Sequence, residues 1–86
     1  MDIADINRIS QIDVQMSNLQ NAIQGRRRTL NFLLLSVRTQ DPARKEARIA
    51  AAREDISDLE RRLQALRTEK EELVVRVATF GVPENH

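Results

Sequence analysis

The sequence predicts an all-α protein, an antiparallel two-helix hairpin of coiled-coil type that we expect to dimerise into a four-helix bundle. Apolar residues recur at heptad spacing in each half of the chain, and a turn signal lies at its midpoint. Further apolar residues fall outside the heptad seam, and we expect a surface of another molecule to cover them. A length of 86 residues allows one small domain, which we take as residues 1–86.

Helix 1 is predicted over about residues 3–39 by apolar residues that follow one another at alternating steps of three and four. This spacing is that of the a and d positions of a coiled coil, which face a partner helix. Arg26 interrupts the series, and whether the neighbouring Gly25 breaks the helix is left open. The series is Ile9, Ile12, Met16, Leu19, Ile23, Arg26, Leu30, Leu33 and Val37.

The turn is predicted at residues 40–41, because Asp41 and Pro42 together are typical of a helix start. An Asp carboxylate accepts a hydrogen bond from an unpaired backbone N–H of the first turn, and Pro suits the first helical position. Helix 2 then covers about residues 42–79. Gly81 and Pro83 are typical of a helix end, which leaves residues 80–86 as a tail.

Helix 2 carries a seam of its own, which matches the first. When the chain folds back at residue 41, Leu33 faces Ile49, Ile23 faces Leu59, and Ile9 faces Leu73. The fold axis derived from this matching coincides with the turn derived from Asp41 and Pro42, although different residues are used. The second seam is Ile49, Ala52, Ile56, Leu59, Leu63, Leu66, Lys70, Leu73, Val77 and Phe80.

Composition excludes most chemistry. The chain has no Cys and one His, at its C-terminus, so we expect no catalytic, cofactor, metal or small-molecule site and no enzymatic activity. Its 14 basic and 13 acidic residues give a net charge of +1, which exerts no global attraction on nucleic acid or membranes. The acidic, polar first residues and the lack of a long apolar run predict a cytoplasmic location without membrane contact.

Apolar residues outside the seam predict a homodimer. They occupy e positions, such as Ile6, and f positions, which point away from the partner helix, and a soluble monomer seldom exposes several of them together. Charge is segregated as well, with a net charge of +6 over residues 24–53 and acidic excess in both flanking segments. An antiparallel two-fold dimer would join basic tip to acidic open end. The predicted oligomer contacts are Val14, Leu35, Val74 and Val75.

The tip is also the predicted site for an unidentified protein partner. Apolar anchors ringed by charge are typical of helix-face docking. This favours a non-enzymatic adaptor, assembly factor, chaperone or inhibitor. The predicted contacts are Phe32, Leu34 and Leu35, with Arg27, Arg28 and Arg38 around them.

Two alternative functions remain open. Arg26, Arg27 and Arg28 could contact nucleic-acid phosphates, although only Phe32 lies near enough to stack on a base. The chain could instead be a structural component that is stable only within a larger assembly.

The seam contains two charged residues, Arg26 and Lys70. They either set the helix register or extend their charged ends to water.

Overall fold

The computed structural model describes residues 3–36 and 41–81, with residues 80 and 81 described by their backbone alone. Helix α1 spans Ile3–Leu35 and helix α2 spans Pro42–Gly81, and no β-strand occurs in these two ranges. The helices lie antiparallel in a rod 72 Å long and 17 by 15 Å across. Its radius of gyration is 19.7 Å, against about 12 Å for a compact domain of this length. The helical hairpin is therefore confirmed.

The core is a single seam between the helices. Ile12 is completely buried, and Ile23, Ile56 and Leu63 form a cluster that Met16 and other half-buried seam residues cover. Every buried apolar residue of the described ranges occupies a predicted a or d position. These residues are Ile12, Ile23, Ala52, Ile56, Leu63 and Leu73.

The reversal of the chain is held by hydrogen bonds at both helix ends. Asp41 caps α2, because its Oδ1 accepts a hydrogen bond of 3.2 Å from the Arg44 backbone N–H. The Lys45 N–H donates to the Asp41 carbonyl oxygen at 3.1 Å, which is the first helical bond of α2. Lys45 Nζ also reaches across to the Ser36 carbonyl oxygen at 2.6 Å, so one side chain binds the C-terminal end of α1.

The helix boundaries differ from the expected ones at two points. Helix α1 ends at Leu35 and Ser36 is not helical, whereas the heptad pattern suggested an end near residue 39. A Lys45 ammonium on the Ser36 carbonyl occupies an acceptor that a longer helix would use internally. Helix α2 continues to Gly81 rather than ending near residue 79. Val37 and Arg38 lie outside the described residues, as does the tail from residue 82.

Gly25 does not break α1, which is continuous through it with ordinary negative φ. A Cβ atom at this position would meet no atom within 4 Å. The Thr29 hydroxyl donates to the Gly25 carbonyl oxygen at 3.2 Å. The outer surface of α1 is therefore open at Gly25, and the heptad phase passes through it unchanged.

Asp41→Ala is expected to lower the free energy of unfolding by about 1 kcal/mol, because the Arg44 N–H loses its side-chain acceptor. Asp41→Asn keeps an acceptor oxygen and should lie close to the wild type. Urea denaturation at one fixed chain concentration, followed by circular dichroism at 222 nm, measures both. Equal stability of all three proteins would show that the cap does not stabilise the turn.

Candidate functional site

The hairpin has two long side faces, one on each side of the seam. The e face carries the e positions of both helices, and a groove at its centre has Ile23 and Leu63 at its base. The polar residues lining this groove are Gln20, Gln24, Arg27, Ser57, Glu60, Arg61, Gln64 and Arg67. The g face is opposite, and its central groove is lined by Gln15, Asn18, Leu19, Arg62, Ala65 and Leu66.

Most of the predicted partner-binding residues lie near the end of α1. Phe32 and Leu35 are 73% and 79% exposed. With Arg28 they follow the i, i+4, i+7 spacing of one helix side, and we call these three residues the tip stripe. Leu34 is 48% exposed and points toward the e face instead. The structure therefore separates Leu34 from the other two apolar residues by helix side.

The predicted arginines differ in how they are engaged. Arg27 Nη2 donates to Glu60 Oε1 at 3.1 Å across the e face. Arg28 is exposed and makes no ion pair within residues 3–36 and 41–81. Arg38 lies outside the described ranges. Of the two predicted arginines that the structure describes, Arg28 lies beside the exposed apolar side chains and has no ion-pair partner among the described residues.

The predicted oligomer residues are all exposed but do not share one face. Val14 and Leu35 lie on the outer surface of α1, and Val75 lies on the outer surface of α2. Val74 belongs to the e face. Ile6, also exposed, occupies the same face near Val74. Ile6 was not among the predicted oligomer contacts. Its heptad position e, which Leu34 and Val74 share, is the sequence feature that places these three residues on one face.

Both charged seam residues bind acids on the opposite helix. Arg26 Nε lies 3.8 Å from Asp55 Oδ2, and Lys70 Nζ donates to Asp13 Oδ1 at 2.6 Å. The Lys70 side chain is 36% exposed, and its position lies opposite the fully buried Ile12. The Lys70 stem therefore covers the seam while the ammonium reaches a partner at its edge.

Arg8 and Glu69 form the best-aligned ion pair between the helices. Arg8 Nε donates to Glu69 Oε2 at 2.6 Å, and Arg8 Nη2 donates to Glu69 Oε1 at 2.9 Å. This two-point geometry lowers the pKa of the Glu69 carboxyl and raises the pKa of the Arg8 guanidinium. Arg8 and Glu69 both lie at g positions beside the seam, and the heptad pattern alone does not identify this pair.

The described ranges contain no cluster of three or more potential metal ligands. Neither α1 nor α2 has the length and apolar content that a transmembrane segment requires over its described residues. Comparison of the chain with protein-family models, with curated proteins and with solved structures gives no match. The arrangement that stands out chemically is an exposed apolar stripe beside a free arginine, on a rod with two charged side faces.

Acidification is expected to weaken the hairpin partly through Glu69. The folded chain holds the Glu69 pKa below its unfolded value, so this stabilisation is complete above the unfolded pKa. It is lost as the pH falls through the folded pKa. The melting temperature of Glu69→Gln should therefore lie below that of the wild type near neutral pH and approach it in acid.

Glu72→Gln serves as the control, because Glu72 is exposed and forms no ion pair in the described part of α2. Its melting temperature should follow the wild type across the same pH range. A constant gap between the wild type and Glu69→Gln from neutral to strongly acidic pH would contradict the role assigned to the Arg8 pair.

Lys70→Leu is expected to raise the free energy of unfolding by about 1 kcal/mol. A half-buried Leu contributes apolar area against Ile12, whereas an exposed ion pair contributes between about 0 and 1 kcal/mol. Thermal denaturation measures the gain, and light scattering should show a broader mixture of oligomers. A melting temperature several degrees lower would instead show that Lys70 is needed for the correct helix register.

Proposed function

We propose that the chain is a non-enzymatic protein–protein interaction module, an adaptor, assembly factor, chaperone or inhibitor that binds a protein partner through its tip. The observation that carries this proposal is the tip stripe. Phe32 and Leu35 leave about three quarters of their surface in water, and the Arg28 charge beside them is unpaired among the described residues.

The energetics of burial favour the stripe as an anchor for a partner. Covering an exposed Phe or Leu side chain gains about 1.5–3 kcal/mol, and two neighbours on one helix side are covered by the same groove. Aromatic and arginine side chains are frequent among the residues that dominate interface energy. The matching partner surface is an apolar groove with an acidic residue at its edge.

A homodimer accompanies this function in our proposal, as a four-helix bundle with each tip against the other copy's open end. The single chain exposes 6807 Å², whereas a compact monomer of its mass exposes about 5,200 Å². The segregated charges favour the antiparallel arrangement, because a parallel one would bring the two basic tips together. Of the predicted oligomer contacts, Val74 lies on the e face, whereas Val14, Leu35 and Val75 lie on outer helix surfaces, so a dimer through one side face covers Val74 and leaves Leu35 exposed.

The test of partner docking compares Leu35→Glu with Asn21→Glu. Both substitutions place a carboxylate on the outer surface of α1, 14 residues apart, and only the first alters the tip stripe. A protein captured by the wild type from the source organism is purified and titrated calorimetrically. Leu35→Glu should weaken binding at least tenfold and Asn21→Glu should leave it unchanged. Equal affinities for all three proteins would contradict docking at the tip.

Nucleic-acid binding is the second candidate, favoured by the basic tip and opposed by the ion pairs of Arg26 and Arg27. A fluorescently labelled duplex and a single strand, titrated by anisotropy, separate the two functions. Phosphate contacts would lose affinity steeply between low and moderate salt, and apolar docking would respond little. The third possibility, a component stable only in a larger assembly, predicts a non-helical circular dichroism spectrum for the isolated chain.

A further inference from the structure

We propose that the e face is the surface on which a second copy of this chain lies, antiparallel and related by a two-fold axis at Gln20. This inference rests on the proposed dimer and specifies its face and register. It assigns dimerisation to Ile6, Leu34 and Val74 and leaves the tip stripe free for the partner.

The e positions of α1 are self-complementary about Gln20. From the open end to the tip they are Ile6, Asp13, Gln20, Arg27 and Leu34, an order of apolar, acidic, amide, basic and apolar side chains. A two-fold axis at Gln20 places Ile6 opposite Leu34 of the second copy and Asp13 opposite its Arg27. A shift by one heptad in either direction would set an apolar side chain against Arg27 or Asp13.

The same axis is compatible with α2, where residue 62 lies level with Gln20. It places Val74 opposite Ala50 of the second copy, and Arg53 opposite its Glu71. The remaining charged e positions are Glu46, Glu60 and Arg67, and they face uncharged residues, which are Ala78, Gln64 and Ser57 of the second copy. No pair of like charges is therefore opposed at the e positions of either helix.

The ion pairs already present on the e face leave Arg27 and Asp13 exposed enough to contact each other across the proposed dimer. Arg27 binds Glu60 at 3.1 Å and Asp13 binds Lys70 at 2.6 Å, yet all four side chains stay at least one-third exposed. Bringing Arg27 beside Asp13 of the second copy would join the two pairs into one alternating chain of charges. Alternation of this kind adds attraction without burying an unpaired charge.

A parallel dimer through the same face is disfavoured by its charges. It would set Arg27 beside Arg53 of the second copy and Asp13 beside its Arg67, so the repulsion of the first contact offsets the attraction of the second. It would also juxtapose two segments that each carry a net charge of +6. The antiparallel arrangement avoids both repulsions, because it places each basic tip against the acidic open end of the second copy.

The register has a functional consequence. Arg28, Phe32 and Leu35 point away from the e face, so the dimer presents two tip stripes at opposite ends of the rod. A single dimer could then bind two partner molecules, or two sites on one assembly, with increased avidity.

The test uses the natural absence of cysteine. Gln20→Cys places one thiol on the proposed axis, and Ala22→Cys places one nearly level with it on the g face. With oxidised glutathione as the oxidant, Gln20→Cys should form a disulfide-linked dimer and Ala22→Cys should stay uncrosslinked. Light scattering of the wild type at micromolar concentration provides the oligomeric state.

A second pair of variants tests the apolar contacts. Leu34→Glu should weaken the dimer at least tenfold in sedimentation equilibrium, and Thr29→Glu, on the g face, should not. If the wild type is a dimer, and the Ala22→Cys variant crosslinks while the Gln20→Cys variant does not, the assignment of the interface to the e face would be wrong and the proposed dimer would stand. A wild-type monomer would overturn both, and the Leu35→Glu titration would still test partner docking separately.

Discussion

The apolar seam between α1 and α2 consists of one row of side chains from each helix, and this narrow core determines what the rest of the surface can do. Ile23, Ile56 and Leu63 are buried only because the two rows interdigitate. Two helices in contact cannot enclose a third row, so apolar residues at e, c and f positions remain exposed in a single chain. Association with another surface is the way for such residues to leave water.

Charge organises the surface that the seam leaves exposed. Arg8 with Glu69 and Arg27 with Glu60 hold opposite sides of the hairpin, and Lys70 with Asp13 closes the seam edge near the open end. These pairs bring acidic and basic groups into register along each face. The outer side of α1 differs, because near the tip it carries Phe32 and Leu35 beside Arg28, which forms no ion pair with any residue that the structure describes. This difference is the basis on which we propose self-association through the e face and docking of a different protein at the tip stripe.

Much of the fold could be predicted because the heptad phase and the turn chemistry are encoded locally. The cap by Asp41 follows from the capping chemistry of an Asp–Pro pair, and the burial of Ile12 follows from heptad spacing. The end of α1 at Leu35 could not be predicted, since the apolar series continues to Val37 and the hydrogen bond on the Ser36 carbonyl comes from Lys45 of the other helix. The ion pair between Arg8 and Glu69 could not be predicted either, because it depends on the rotamers of side chains on two different helices. At the candidate site, the exposure of Phe32 and Leu35 could be predicted from their heptad positions. No local sequence pattern identifies the protein that would bind them.

The distance between the two helices near the open end tests the central claim most directly. Nitroxide labels at Gln11→Cys and Glu72→Cys, in labelled chain diluted with unlabelled wild type, report the intramolecular separation by double electron–electron resonance. Because α1 and α2 pack side by side, the account predicts a narrow distribution below about 30 Å. A separation near 90 Å, the about 1.5 Å rise per residue of one continuous helix between these positions, would contradict the hairpin and all that is built on it.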